Sequence, residues 1–111
     1  MSATAHVGTL LAKGSDLAAE GSVAAVDPKT GDPVLVIRLS RSSVVAYDAV
    51  CTHAGCTVQY DSTSVSMICP CHGAQFDPAH QGRVMAGPTD QPLASIPIRV
   101  DARTGDVTTV S

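Results

Sequence analysis

The chain has no tryptophan, one phenylalanine and two tyrosines among its 111 residues. Large rings are therefore too few to fill the modest core that a single domain of this length buries, and Val, Leu, Ile and Ala must do most of that work. Long apolar runs are missing as well. None exceeds four residues, and Val34 to Ile37, the most apolar, has strand length, far short of the roughly 18 residues that a membrane-spanning helix takes. Basic residues are scarce and scattered from Lys13 to Arg103: seven Lys and Arg against ten Asp and Glu, a formal charge of −3. Without a basic patch, a nucleic-acid partner or an anionic membrane surface is not expected. The opening "MSATAHVGTLLAKG" lacks a basic segment followed by an apolar one, so it is no intact signal peptide. Two placements stay open at this point, the cytosol or export by a segment outside this sequence. Nor is there a nucleophile constellation, a mononuclear iron triad or a nucleotide-binding loop.

What is present reads as all-β. Gly and Pro punctuate apolar stretches of strand length, and no repeat, heptad or low-complexity tract stands out. "PVLVIRL" (33–39) and "SVVAYDAV" (43–50) flank a short turn and predict a hairpin. "SIPIRV" (95–100) and "DVTTV" (106–110) predict another, with Gly105 at a positive-φ position. "VGTLLA" (7–12) and "SVAAV" (22–26) are expected as strands of one base sheet. "CTVQY" (56–60) and "VSMIC" (65–69) are short strands around "DSTS". "SDLAAEG" (15–21) suits one helical turn, capped by Ser15 and stopped by Gly21. "GRVMAGPTDQPL" (82–93), with its glycines and prolines, is expected as an extended loop.

All four cysteines lie in two short loops, "CTHAGC" (51–56) and "CPCHG" (69–73), each with a histidine. Two disulfides could use the cysteines, in any of three pairings, but would leave His53 and His72 without a role. Structural zinc prefers ligand pairs with two to four residues between them, and C-x-H and C-x-C are tighter than that. Cys51 and His53 form C-x-H, and Cys69 and His72 form C-x-x-H, with fifteen residues between His53 and Cys69.

This pattern resembles the signature of the Rieske 2Fe–2S family, C-T-H-x-G-C followed by C-P-C-H-G, over roughly residues 45 to 94. The resemblance implies that Cys51 and Cys69 bind one iron of a 2Fe–2S cluster and His53 and His72 the other. Cys56 and Cys71 would form the disulfide found in one branch of the family. Gly55 and Gly73 would bring backbone N–H groups near sulfur, Pro70 would stiffen its turn, and Gly87 and Pro88 match the family's Gly-Pro covering loop. The implied fold is a Rieske fold: one domain over 1–111, with an antiparallel β-sandwich or barrel base (about 5–45 and 91–111). A cluster-binding subdomain (about 46–90) is inserted into it. His6 and His80 are expected to be solvated, and Asp77 to serve turn chemistry.

The implied ligand set has an electrical consequence. Two ferric ions, two sulfides, two thiolates and two neutral imidazoles sum to zero, whereas four thiolates would leave a dianion. Electron uptake is easier at the neutral centre, hence family potentials of roughly −150 to +300 mV against about −400 mV for plant-type ferredoxins. The role implied is one-electron transfer without a catalytic site of its own, with the imidazole Nε2 groups free to couple proton to electron transfer. Its partner would be a cytochrome or another oxidoreductase subunit and, in a bc-type complex, a quinol. The family's disulfide branch includes the Rieske subunits of cytochrome bc complexes and the small subunit of arsenite oxidase. Ferredoxins serving oxygenases or nitrite reductases generally lack the bridge. A bridge from 56 to 71 would contribute on the order of 3 kcal/mol in the chain-entropy picture and points to an oxidising compartment. The expected location is therefore extracytoplasmic, with any membrane attachment through an anchor outside this sequence. A colourless structural domain without redox work is the rival from another class.

High-potential members carry a Ser and a Tyr whose hydroxyls donate to a bridging sulfide and a ligand sulfur; here those positions are Ala74 and Phe76. If each donor favours the reduced cluster by about 1.5 kcal/mol, each loss lowers the potential by roughly 65 mV. A lower-potential quinol such as menaquinol, or an unrelated redox partner, then fits better than ubiquinol. The expected midpoint near neutral pH is about 0 to +200 mV, within the family range. Ala74→Ser with Phe76→Tyr should raise it in protein-film voltammetry, and a wild-type value at the upper family limit would contradict the argument.

Overall fold

The computed structural model describes residues 9–28, 30–40, 43–50, 56–71, 73–87 and 91–110. Its strands are β1 (Leu10–Ala12), β2 (Ser22–Val26), β3 (Pro33–Ser40), β4 (Ser43–Asp48), β5 (Gln59–Asp61), β6 (Ser66–Ile68), β7 (Gln75–Asp77), β8 (Arg83–Ala86), β9 (Ile98–Val100) and β10 (Val107–Thr109). One α-helix, α1 (Gly14–Glu20), and a 3₁₀ turn (Pro78–His80) complete the described residues. Three antiparallel sheets result, in the orders β9-β10-β1, β2-β3-β4 and β5-β6-β7-β8. No helix among the described residues is long and apolar enough to cross a membrane.

The unbroken run Val34 to Ile37 is explained by what lies on either side of it. Successive strand side chains point to opposite faces, and both faces of β3 are covered. Leu35 and Ile37 enter a core with Tyr47, Ala49, Val58, Met67, Cys69, Ala74, Phe76 and Leu93. Val34 and Val36 enter a second core with Leu11, Ala12, Leu17, Ala46 and Val107. The register continues the split on β4, where Tyr47 opposes Leu35 and Ala46 opposes Val36. The second core is aliphatic, as expected. The first is not: it holds Tyr47 and Phe76 fully inside, with Tyr60 packed against it, so every aromatic ring of the chain gathers there. The Tyr47 hydroxyl donates to the Pro78 carbonyl at 2.7 Å, and burial pushes its phenol above the ordinary 10.0.

Both expected hairpins form, β3–β4 and β9–β10, and β5 and β6 pair as shorter strands around residues 62–65. Four expectations need correction. β1 and β2 lie in different sheets, β1 beside β10 and β2 beside β3, because α1 and Gly21 turn the chain between them. Residues 82–93 are not all loop: β8 pairs with β7, with an irregularity at Gln75/Phe76 that Gly and Pro counting does not reveal. Gly82 also packs tightly there, since a β-carbon on it would stand 2.8 Å from the Leu93 carbonyl oxygen and 3.0 Å from the Tyr47 ring.

The third correction concerns the helix cap. Gly21 does stop α1, in a left-handed conformation (φ 81°) with its N–H donating to Leu17. Ser15, however, lies inside the helix, and the N-cap position, Lys13, makes no side-chain cap bond. The carboxylate of Asp106 does that work from across the sheet, accepting from Gly14 N–H at 2.8 Å. Leu17 then anchors the helix in the second core.

The fourth is a short repeat. "DPKTGD" (27–32) and "DARTGD" (101–106) share the pattern D-x-[KR]-T-G-D and fold alike. In each, the first Asp N–H donates to the last Asp carbonyl at 2.9 Å, and the Gly N–H donates back to the first Asp at 2.8 Å. Gly31 and Gly105 have φ 77° and 79°, and each Thr hydroxyl accepts from the last Asp N–H, at 3.1 and 3.2 Å. Only the second turn meets the helix, where a β-carbon on Gly14 would overlap the Thr104 carbonyl and approach Gly105 Cα at 2.9 Å. Asp106→Ala should cost about 1–2 kcal/mol as a lost cap, and Gly14→Ala about 1–3 kcal/mol as overpacking. Urea unfolding checks both, with Gly21→Ala, which meets open space but is strained in φ, as the comparison.

Candidate metal centre

Three segments converge at one end of the β5–β8 sheet. The first begins where β4 hands over to Ala49, whose N–H donates to Pro33; Val58 N–H then donates to Ala49. Val50 and Thr57 bridge antiparallel. The chain between them, which carries Cys51, His53 and Gly55, thus leaves and returns through a paired stem. The second segment runs from β6 to β7. Cys69 N–H donates to Ala74 and Gly73 N–H donates back to Cys69, with Gly73 at φ 74°. Because Gln59 opposes Ile68, the start of β5 and the end of β6 aim both segments the same way.

The third segment follows β8. Ala86 opposes Gln75, and the next residue, Gly87 (φ 114°), lies against the Ala74 backbone. A β-carbon at 87 would overlap Ala74 Cα and sit 2.9 Å from Ala74 Cβ. Glycine is required there by both conformation and space.

A disulfide joins Cys56 and Cys71, with Cα atoms 6.4 Å apart, as the resemblance implied. Cys69 is a free thiol, and the sulfurs of Cys56, Cys69 and Cys71 all lie within 4.8 Å of one another. Cys69, Ala74 and Phe76 are completely buried, while Pro70, Cys71 and Gly73 are exposed. Cys51, His53, Gly55, His72 and Pro88, like His6, lie outside the described residues.

The other singled-out side chains fall elsewhere. His80 is exposed, as expected, but has a partner: its Nδ1 is 2.7 Å from Asp77 Oδ2. Asp77 does serve a turn, its other oxygen accepting from Ala79 N–H at 2.9 Å. Burial works against the Asp77 charge, yet the hydrogen bonds from His80 and Ala79 and the nearby Arg83 hold its carboxyl below 3.8. Sequence reading passed over Asp48, which braces the first segment by accepting from Val50 N–H at 2.9 Å. Burial raises the Asp48 carboxyl above 3.8, the Val50 bond opposes the rise, and Asp32 and Asp27 add to it. The sequence signal was the spacing of three aspartates around one hairpin, visible only once β3 and β4 are paired.

A family model described as the Rieske [2Fe-2S] domain matches residues 9–97; the chain belongs to that family. The cytochrome b6-f complex iron-sulfur subunit of Prochlorococcus marinus (strain MIT 9515) is 41% identical over 73 residues, 64% of this chain and 40% of that one. The pea chloroplast subunit is 42% identical over 79 residues, 69% of this chain and 34% of that one. The chain spans about a third to two fifths of the length of these curated relatives. Among solved structures, the plasma-membrane Rieske protein PetC3 of Synechocystis PCC 6803 superposes with a TM-score of 0.79 at 28% identity. That match covers 93% of this chain and 99% of the other. The ferredoxin of carbazole 1,9a-dioxygenase from Nocardioides aromaticivorans IC177 shares the fold, with a TM-score of 0.73 at 24% identity, covering 95% and 98%.

The cofactor is therefore a Rieske 2Fe–2S cluster, and the described residues fit it. The disulfide removes Cys56 and Cys71 from the ligand set, and the remaining described thiol, Cys69, is held unoxidised beside it in an apolar setting. The chain also belongs with the disulfide-bearing branch.

The Asp48 shift has a signed consequence. A carboxyl whose folded value is raised stabilises the fold below its unfolded value and loses that contribution as pH rises through the folded one. At neutral pH the Asp48 charge is thus a net penalty. Asp48→Asn keeps an acceptor for Val50 and should melt higher than the wild type at pH 7, with the gap closing as pH falls towards 3.8. Thermal melts across that range check it.

Proposed function

We propose that this chain is a one-electron carrier working outside the cytoplasm, its cluster held by Cys51 and Cys69 on one iron and His53 and His72 on the other. The observation that carries the reading is the Cys56–Cys71 bridge beside a free, buried Cys69. When bound, the cluster supplies one-electron redox chemistry at a potential raised by its neutral imidazole ligands. The protein side is positional. The bridge ties the two ligand loops, Gly87 lets the third segment close over Ala74, and the buried Phe76 and Ala74 keep water from Cys69. We assign the cluster-binding part to about 46–90 and the base to the flanking segments, a division supported by the separate β5–β8 sheet.

The relatives and the bridge support a reading of partner and place. The curated relatives are iron-sulfur subunits of the cytochrome b6-f complex and PetC3 is a plasma-membrane Rieske protein, and a disulfide suits an oxidising compartment. We infer an extracytoplasmic domain that receives electrons from a quinol or comparable reductant and passes them to a redox protein. The oxygenase ferredoxins share only the fold at their level of identity.

The exposed residues around the described part of the site, Pro70, Cys71, Gly73, Met85, Ala86 and Gly87, carry no charge. Docking there is apolar, and electron exchange should depend little on salt. Purified protein should hold a 2Fe–2S cluster whose reduced EPR spectrum has an average g below that of all-cysteine clusters. Cys69→Ser should lose it. Oxidation of the reduced protein by a small anionic complex should change less than about threefold between low and physiological ionic strength, and Met85→Lys should make it salt-sensitive. Iron-free protein after anaerobic reconstitution would end the proposal.

A further inference from the structure

Three sulfurs meet within 4.8 Å, two joined in a disulfide and the third a free thiol sealed from solvent. That places an internal nucleophile beside a disulfide. Thiol–disulfide exchange proceeds by attack of a thiolate on one disulfide sulfur, and it needs no outside oxidant or reductant. A sulfur engaged as a metal ligand is not available for that attack.

We propose that the site carries a redox-neutral lock: with the cluster absent, Cys69 displaces Cys71 from Cys56. The Cys56–Cys71 bond breaks, a Cys56–Cys69 bond forms, and the departing Cys71 sulfur takes up the proton that Cys69 gives. Sulfur oxidation state is conserved overall, with one bridge before and one after. This inference rests on the assignment of Cys69 as a cluster ligand.

Exposure sets the direction. Cys71 is exposed and Cys56 half-buried, so the Cys71 sulfur leaves into water, which stabilises a thiolate, while the new bridge lies deeper. Attack on Cys71 instead would close a ring around Pro70 alone, whose φ is fixed by its own ring. The bridged separation changes from 15 residues to 13, so chain entropy hardly favours either bridge. Once exchanged, the site has lost a ligand sulfur to a disulfide and shows a new surface thiol. The exchange is reversible, so the freed Cys71 can attack Cys56 again, and cluster insertion, by engaging Cys69, draws the site back to the native bridge.

The test starts from cluster-loaded protein with its iron and sulfide counted. The cluster is stripped anaerobically with a chelator, with no thiol or oxidant added. Samples taken over time are blocked with iodoacetamide and mapped by peptide mass spectrometry. Cys71 should be protected at the start and gain labelling on the order of tenfold after stripping, as a Cys56–Cys69 peptide replaces the Cys56–Cys71 one. Cys69→Ala and Cys69→Ser, mapped in the same way, should keep the original bridge. An unlabelled Cys71 with the native bridge intact in stripped protein overturns the proposal, and so does a new bridge made by Cys51. Starting protein without iron and sulfide would count against the ligand assignment instead. The exchange would then be read directly in that material against the two Cys69 variants.

Discussion

The strand Pro33–Ser40 is the constraint on which the rest depends. It is buried on both faces, and its alternate side chains belong to different cores. A one-residue slip would exchange Leu35 and Ile37 with Val34 and Val36 and send every one of them to the wrong side. That register also places Tyr47 against the metal-side core and Ala46 against the other. The Tyr47 hydroxyl then reaches Pro78, beyond the far end of the sheet that carries the site. The β2–β4 and β5–β8 sheets are thus fastened through the buried layer they share.

From that layer outward, the site is built by backbone contacts more than by side chains. Paired stems deliver the first two segments, and Gly87 permits the third to lie against Ala74. The disulfide then joins two segments that the sheet has already brought close. Cys69 belongs to the same buried cluster as Met67, Val58 and Phe76, so its surroundings are set by the packing that stabilises the fold. Changing that packing changes the environment of the buried Cys69 thiol.

Much of this was legible in the residues. Hairpins announced themselves through short apolar runs and turn glycines, and the resemblance of the two Cys/His loops to the Rieske signature implied the cofactor. What escaped reading depended on contacts distant in sequence. The cap of α1 comes from Asp106, some ninety positions away. Nothing in residues 7–26 says that β1 and β2 part into separate sheets. β8 is masked by the glycines and prolines around it, and its pairing with β7 is what overrides them. Within the site, the role of Asp48 depends on the β3–β4 pairing. The twin D-x-[KR]-T-G-D turns are six residues each, far below the roughly 20–50-residue periods of repeat architectures, and their likeness lies in shared backbone hydrogen bonds.

Those twin turns differ in what they touch, and so in what evolution or an engineer can do with them. The turn at 101–106 has become a fixture: its Asp106 holds the start of a helix, and Gly14 leaves no slack beside it. The turn at 27–32 has the same internal wiring, yet Pro28, Thr30 and Gly31 stand exposed and a β-carbon on Gly31 would meet nothing. Asp27 and Asp32 face Asp48 and are best left alone, but the outward tip at Pro28, Thr30 and Gly31 is a natural grafting point, where a peptide or an electrode linker could be spliced in.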